Sequence, residues 1–311
     1  MKRICLMVWC MCLLNTGFAQ TPHLPPYFRR NDNLNRELKK IVTSLGLAGN
    51  FDVGEDGIEQ ISLAVIDLSS GKPQFAGVNA DNFIYPASVY KMYVAAEIFH
   101  QIYLGEIALD STIVVTFPNI VDKTREISHD PRPLLQHGDI VTINYLLDLM
   151  ITRSDNSAAN CLIDIAKRER INAMLQLYNW HGSEVTRKFL SRKYEDPGYE
   201  KIRGTETCAL HAADFLYRVQ TNQLINPWVS MQMKVLLGRQ LDNSKFACGL
   251  PLKSMMFHKT GWFAYWTHDV GIVDDGEVCY IVACFLPLRE SQALKIYPEL
   301  ARQVDQLIHK R

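Results

Sequence analysis

The stretch Val278–Leu286, with the sequence VCYIVACFL, is a run of nine apolar residues without a polar break. A strand of this composition is typical of the centre of a sheet that is covered on both faces. The turn Asp274–Gly276 precedes it, and Val270–Val273 lies before that turn, so the two segments predict a pair of neighbouring strands. Lys259–Gly261 predicts a third strand in the same region.

The rest of the chain predicts two more strands and a set of helices. Ile61–Leu68 and Phe75–Val78 flank the turn Ser69–Lys72 and indicate a hairpin. Apolar residues at helical spacing predict one helix near Leu34–Leu45 and another near Tyr297–Ile308. The middle of the chain predicts further helices at Val89–Leu104, Val141–Thr152, Ser157–Ala166, Ile171–Trp180, Ala209–Val219 and Val229–Gln240.

Strands therefore occupy both ends of the chain, and helices fill its middle. We predict an α+β fold in which an antiparallel sheet, built from both chain ends and flanked by the terminal helices, carries an inserted all-helical lobe. The expected boundaries place the sheet lobe at residues 31–85 and 241–311 and the helical lobe at 86–240. Both belong to one domain over residues 20–311.

The charge balance and the N-terminus narrow the functional classes. The chain has 33 basic and 33 acidic residues, so its net charge favours neither nucleic acid nor an anionic membrane as a partner. Met1–Ala19 combines basic Lys2 and Arg3 with the apolar run Ile4–Leu14. This pattern predicts a signal peptide cleaved near Ala19 and hence a periplasmic or extracellular protein. The alternative, a membrane anchor, is disfavoured because the run is too short to span a bilayer easily, and we expect no stable membrane insertion.

The cysteines remaining after the predicted signal peptide are odd in number, so at least one thiol is unpaired within the chain. We expect most of them to be small buried hydrophobic residues. Cys279 and Cys284 lie five residues apart in one predicted strand, so they face opposite sides of the sheet. The sequence contains no clustered metal-ligand spacing, P-loop or GxGxxG pattern, and we expect neither a metal nor a cofactor.

Ser88 and Lys91 are the first candidates for chemistry. They begin a strongly apolar helix, and a spacing of three places both side chains on one face. Burial and the positive end of the helix dipole favour a neutral lysine there, and a neutral amine can accept the proton of a serine hydroxyl. The alternative is a capping serine with a lysine that reaches solvent. A second such pair, Ser69 and Lys72, falls in the hairpin turn, where we expect both side chains to be solvated.

Two further motifs follow along the chain. Ser154-Asp155-Asn156 separates two apolar helical segments, which is also the pattern of an ordinary helix break with a capping Ser or Asp. His258-Lys259-Thr260-Gly261-Trp262 begins a predicted strand, and its glycine permits close approach of another chain or of a ligand. The plain alternative for this stretch is a strand end with a solvated lysine.

In this order, Ser-x-x-Lys at a helix start, Ser-Asp-Asn between helices and Lys-Thr-Gly on a C-terminal strand form the motif set of active-site serine β-lactamases and penicillin-binding proteins. The chain resembles this superfamily, and class A β-lactamases in particular, over about Leu34–Ile308. The resemblance implies a serine hydrolase that works through an acyl-enzyme and needs no cofactor.

The resemblance also implies catalytic roles for the matching residues. Ser88 would be the acylated nucleophile, and Lys91 would be its base, directly or through water. Ser154 would pass a proton to the leaving nitrogen. The backbone N–H groups of Ser88 and Trp262 would form the oxyanion hole.

The remaining motif residues would bind the substrate. Asn156 would hydrogen-bond the amide side chain of the substrate, and Lys259 and Thr260 would hold its carboxylate. Gly261 would allow the close approach, and Trp262 would narrow the floor of the site or stack on the substrate, because the family usually has a small or hydroxylated residue there.

The sequence departs from the class A pattern in the loop after the Ser-Asp-Asn helix. Class A enzymes carry a Glu-x-x-x-Asn element there, whose glutamate activates the deacylating water. The corresponding stretch, Thr186–Thr207, lacks that element. Glu195 and Glu200 are the glutamates that a rearranged loop would supply, and the alternative for each is a solvated loop charge. Near the place of a carboxylate-binding arginine stands His268, which either helps to hold the substrate carboxylate or is a strand-surface histidine.

These observations predict a secreted, monomeric enzyme that opens β-lactam rings through an acyl-enzyme. The alternatives are a D-alanyl-D-alanine peptidase or an esterase of the same fold, acting on a peptidoglycan-like acyl substrate, and a β-lactam sensor that deacylates slowly. The missing glutamate element favours the alternatives, because it predicts an acyl-enzyme that forms faster than it breaks down.

Overall fold

The computed structural model describes residues 23–195 and 202–311. Its strands are β1 (Arg29–Arg30), β2 (Phe51–Asp52), β3 (Ile58–Glu59), β4 (Ser62–Asp67), β5 (Gln74–Val78), β6 (Thr112–Val114), β7 (Ile140–Thr142), β8 (Met255–Phe263), β9 (Trp266–Asp274) and β10 (Cys279–Leu286). Its α-helices are α1 (Asp32–Ser44), α2 (Lys91–Tyr103), α3 (Ile143–Thr152), α4 (Asn156–Ala166), α5 (Arg168–Leu177), α6 (Ala209–Gln220), α7 (Pro227–Leu237) and α8 (Glu290–His309). The fold is therefore α+β, as the sequence predicted.

The main sheet has six strands in the order β1-β5-β4-β10-β9-β8. Its pairs are antiparallel except for the short edge strand β1, which runs parallel to β5. Strand β10 lies inside the sheet and pairs through Ile281 with Ile66 on one side and Ile272 on the other. The prediction of a central strand from the apolar run is confirmed.

The two faces of the sheet are buried by different layers. On one face, Val282 and Cys284 pack with α1 and α8. On the other, Ile281, Ala283 and Phe285 pack with the helices from the middle of the chain. Because side chains alternate along a strand, nine apolar residues in succession supply both cores.

The helix that carries the first motif begins differently from the expectation. The segment predicted as one helix from Val89 starts as a 3-10 turn, Ala87–Tyr90, and becomes α-helical at Lys91. Ala87 has a positive φ of 46°, which favours glycine and strains an alanine. Strand β8 packs directly against this turn through Gly261.

The described cysteines Cys161, Cys208, Cys248, Cys279 and Cys284 are all free thiols, and three of them are buried. Cys279 and Cys284 contact opposite cores, as predicted. The predicted signal peptide, Met1–Ala19, lies outside the described residues. Within the described part of the chain, no helix is both long and apolar enough to cross a bilayer.

Candidate active site

Ser88 lies in the 3-10 turn that leads into α2, and its side chain is 8 % exposed. The turn is closed by a hydrogen bond from Val89 N to Pro86 O of 3.0 Å. Strand β8 contacts this turn through Gly261, where a Cβ atom would lie 2.9 Å from Ser88 N. Glycine is therefore required by the close approach of the two backbones, which is the reason anticipated for it from the sequence.

Lys91 is completely buried, one turn after Ser88. Its Nζ donates to the carbonyl oxygen of Ser154, to Ser154 Oγ at 3.2 Å and to Asn156 Oδ1 at 2.8 Å. Burial lowers the pKa of Lys91 to about 8, against the opposing charges of Glu126, Asp122 and Asp155. A substantial fraction of this lysine is consequently neutral just above neutral pH, so it can act as a base.

Ser154 joins the two lysines of the site. Its backbone has a positive φ of 63°, and its Oγ accepts hydrogen bonds from both Lys91 and, at 3.1 Å, Lys259. Lys259 is also completely buried and donates to Thr260 O at 2.7 Å. Burial, and then the nearby Lys91 charge, lower the pKa of Lys259 to about 7. Two ammonium groups on one hydroxyl are costly to hold in the charged state together, so the pair releases its first proton readily.

The other residues of the second motif form the N-terminus of α4. Asp155 is the N-cap and accepts from Ala158 N at 2.7 Å. Asn156 donates through Nδ2 to Asp122 Oδ1 at 3.0 Å while its Oδ1 receives Lys91. The capping alternative thus holds for Asp155, and Ser154 and Asn156 nevertheless contact the lysine of the first motif.

Trp262 follows Gly261 on β8, and the residue is 43 % exposed. Its Nε1 donates to Glu126 Oε1 at 2.7 Å, so the ring reaches the segment between β6 and β7. This partner was not anticipated, because Glu126 carries no recognisable motif.

The loop after α5 presents an aromatic ring to Lys91. Phe189 lies with its ring centroid 4.3 Å from Lys91 Nζ and stacks on Tyr90 at 4.6 Å. Its backbone is held by the buried side chain of Asn160, which accepts from Phe189 N at 2.7 Å. A buried asparagine in an otherwise apolar helical segment was the signal that could have indicated this contact.

Of the two glutamates considered as deacylation bases, Glu195 and Glu200, only Glu195 is among the described residues. Glu195 accepts from the backbone N of Lys188 at 3.1 Å and from Arg168 at 3.4 Å, and its side chain is 3 % exposed. It is therefore not a solvated loop charge, because its carboxylate ties the loop to α5. Its role as a deacylation base stays a prediction. Glu200 lies outside the described residues.

Both interpretations of His268 are wrong. The side chain is buried; one ring nitrogen, Nε2, is 2.9 Å from Tyr85 O, and Nδ1 accepts from Leu286 N. Burial lowers the pKa of His268 to about 3, so it stays neutral and cannot attract a carboxylate by charge. Since Tyr85 lies just before the Ser88 turn, His268 supports that turn from within the sheet.

Together, these residues combine a nearly buried serine on a strained turn with a buried amine, a bridging hydroxyl and a second buried cation. Such a set suits acyl transfer, in which a base, a proton relay and an anion-binding group are all needed.

Comparisons with known proteins show that solved structures share this fold. Among solved structures, PBP-A superposes with a TM-score of 0.74 at 19 % identity and covers 93 % of this chain and 100 % of its own. A β-lactamase from Sphaerobacter thermophilus DSM 20745 gives 0.73 at 18 % identity, covering 89 % of this chain and 98 % of its own. An ancestral class A β-lactamase gives 0.69 at 19 % identity, covering 88 % of this chain and 99 % of its own. A search of curated proteins gives no significant match. The sequence model of the β-lactamase enzyme family matches residues 38–308, most of the chain, and the protein therefore belongs to that family.

Proposed function

We propose that this protein is an exported serine hydrolase that opens β-lactam rings by acylation of Ser88, and that its acyl-enzyme breaks down slowly. The observation that carries this proposal is the contact of two buried lysines, Lys91 and Lys259, with the hydroxyl of Ser154. A site with this chemistry suits an anionic substrate that accepts a nucleophile and releases a nitrogen.

In the proposed acylation, neutral Lys91 accepts the hydroxyl proton of Ser88 while Oγ attacks the lactam carbonyl carbon. The backbone N–H groups of Ser88 and Trp262 receive the developing oxyanion. When the C–N bond breaks, the Ser154 hydroxyl gives its proton to the nitrogen and regains one from Lys91. Lys259 holds the substrate carboxylate, which also keeps Lys259 charged.

Asn156 and Thr260 complete the proposed substrate contacts. Asn156 is oriented by Lys91 and Asp122, which leaves it a rigid partner for the amide of the acyl side chain. Thr260 is buried beside Lys259 and would share the carboxylate with it.

Slow deacylation follows from the loop. A hydrolytic water needs a base close to the ester, and among the described residues of this loop it is the ring of Phe189 that contacts Lys91. Glu195 is engaged by Lys188 and Arg168. A variant of PBP-A is described as an acyl-enzyme complex with penicillin-G, so acylation by a penicillin occurs on this fold.

A D-alanyl-D-alanine peptidase is the second candidate, because the same imbalance suits an enzyme whose natural acyl acceptor is an amine or a peptide. We further propose cleavage of the signal peptide near Ala19, residues 20–311 as the catalytic domain, and a monomer in the periplasm or outside the cell.

The test compares Ser88→Ala with Ser69→Ala, the matched control in the other Ser-x-x-Lys pair. Purified proteins are incubated with a fluorescent penicillin and with nitrocefin, and the intact mass is followed. We expect wild type and Ser69→Ala to gain one acyl group that persists long after acylation is complete, and Ser88→Ala to gain none. Labelling of Ser88→Ala at the normal rate would contradict the assignment of the nucleophile. Rapid nitrocefin turnover without an observable acyl-enzyme would contradict slow deacylation.

A further inference from the structure

The contact between Glu126 and Trp262 links two parts of the chain that are 136 residues apart. Trp262 belongs to strand β8, immediately after the Lys-Thr-Gly motif, and Glu126 belongs to the segment between β6 and β7. We call this 2.7 Å hydrogen bond the Glu126–Trp262 bridge. The proposed acylation uses only the backbone N–H of Trp262, so it assigns no role to the Glu126–Trp262 bridge.

Both ends of the bridge are held in place. On the Glu126 side, Asp122 accepts from Asn156 N at 2.8 Å and from Ser157 N at 2.7 Å, which attaches the segment to the N-terminus of α4. On the other side, Trp262 pairs with Thr267 in the sheet. The segment that carries Glu126 is therefore anchored to α4 through Asp122, and the Glu126 carboxylate contacts β8 through the indole of Trp262. The motifs at these two elements supply Ser154 and Lys259.

The charge of Glu126 acts on the lysines of the site. Among the charges around Lys91, and also among those around Lys259, Glu126 is the strongest one that favours the ammonium form. In return, the two lysines lower the pKa of Glu126, while burial raises it. Glu126 is itself an exposed residue whose carboxylate is held at the Trp262 indole, so solvent screens part of this effect.

We propose that Glu126, held by Trp262, is a specificity-determining residue that selects substrates by the charge of their acyl side chain. The inference rests on the proposed function. Lys259 takes the ring carboxylate of the substrate, so an acyl side chain with a second anion meets the carboxylate of Glu126, whereas a side chain with an ammonium group is attracted to it.

Three penicillins that differ at one α-substituent make the test. Benzylpenicillin has a neutral side chain, carbenicillin carries an additional carboxylate, and ampicillin carries an amino group that is largely cationic just below neutral pH. Acylation rates are measured for wild type and for Glu126→Gln, which removes the charge and keeps an oxygen that can accept from the indole. Rate ratios between substrates cancel any change in the basicity of Lys91.

In Glu126→Gln we expect the acylation rate of carbenicillin relative to benzylpenicillin to rise about fivefold, and that of ampicillin relative to benzylpenicillin to fall about fivefold. This factor is the one expected for a unit charge roughly 8 Å away in a partly hydrated cleft. Trp262→Phe, which removes the donor of the bridge, should shift both ratios in the same direction by less. Glu299→Gln, on α8 at the far face of the sheet, is the matched control and should leave both unchanged.

The outcomes separate the two proposals. If the penicillins acylate Ser88 and the ratios stay the same in Glu126→Gln, the inference is wrong and the proposed function stands. If none of the three acylates the wild-type protein, the proposed function fails and the inference fails with it. Ratios that shift equally in Glu299→Gln would assign the effect to net charge and overturn the role of the bridge.

Discussion

Replacing Gly261 by Ala should slow acylation far more than it weakens the fold. The added Cβ would lie 2.9 Å from Ser88 N, 3.0 Å from Pro86 O and 3.1 Å from Val89 N. These are backbone atoms, so β8 and the Ser88 turn must separate by roughly half an ångström to restore normal contact. The two proposed oxyanion donors, Ser88 N and Trp262 N, lie on opposite sides of this contact and would move apart. Loss of one aligned donor lowers acyl-transfer rates by about 10²–10³.

The assay measures the rate of labelling by a fluorescent penicillin and, in parallel, the free energy of unfolding. We expect a rate loss of about 100-fold with a stability loss of about 1–3 kcal/mol, typical of one excess methyl group in a packed site. Gly71→Ala is the matched control, because nothing lies within 4 Å of its added Cβ. If Gly261→Ala acylates at a rate close to that of wild type, the close approach does not position the oxyanion donors and the reasoning is refuted.

The remaining predictions concern charge. The acylation rate, measured by rapid mixing, should rise with pH as the Lys91–Lys259 pair loses its first proton and fall as the pair loses its second. The Glu126 carboxylate raises the pKa of both lysines, so Glu126→Gln should move both the rise and the fall of the rate to lower pH. Glu195→Gln should leave the acyl-enzyme lifetime unchanged in intact-mass time courses and lower stability by about 1 kcal/mol, since the carboxylate binds Arg168. Lys91→Met should abolish acylation. In wild type, the lowered pKa of Lys91 makes the folded state bind fewer protons than the unfolded state between pH 8 and about 10.5, so the free energy of unfolding rises with pH there. Denaturant titrations of Lys91→Met should show a flatter rise over this range.

Much of the architecture could be predicted from the sequence because its signals are local. An uninterrupted apolar strand such as β10 needs an apolar layer on each of its two faces, and the structure provides both layers. The Ser88–Lys91 spacing identifies neighbours on one helical face without knowledge of the fold. The short strands β2, β3, β6 and β7 were not predicted, since two or three residues carry too little periodicity to be recognised.

The parts of the site that were missed depend on contacts between distant segments. Glu126 lies in an irregular segment and meets Trp262 only because α4 and β8 come together, so its own neighbours in sequence say nothing of its partner. Phe189 would be read as an ordinary apolar residue until its ring is found over Lys91. For His268, a strand pattern gives neither the complete burial that keeps the ring neutral nor its hydrogen-bond partners, Tyr85 O and Leu286 N.

The positive φ of Ser154 links the stability of the cleft to its chemistry. In that conformation Ser154 presents both its carbonyl oxygen and its hydroxyl to Lys91, while the hydroxyl also receives Lys259. A left-handed serine costs about 1–2 kcal/mol, and charge-assisted hydrogen bonds of the kind made here offset about that much. A well-packed apolar side chain at position 91 would avoid the cost of burying an amine. The fall of the Lys91 pKa from 10.5 to about 8 corresponds to a cost of roughly 3 kcal/mol at pH values below 8, where the amine is charged. Packing alone would therefore not select a lysine at this position, whereas the proposed role of Lys91 as the base for Ser88 would.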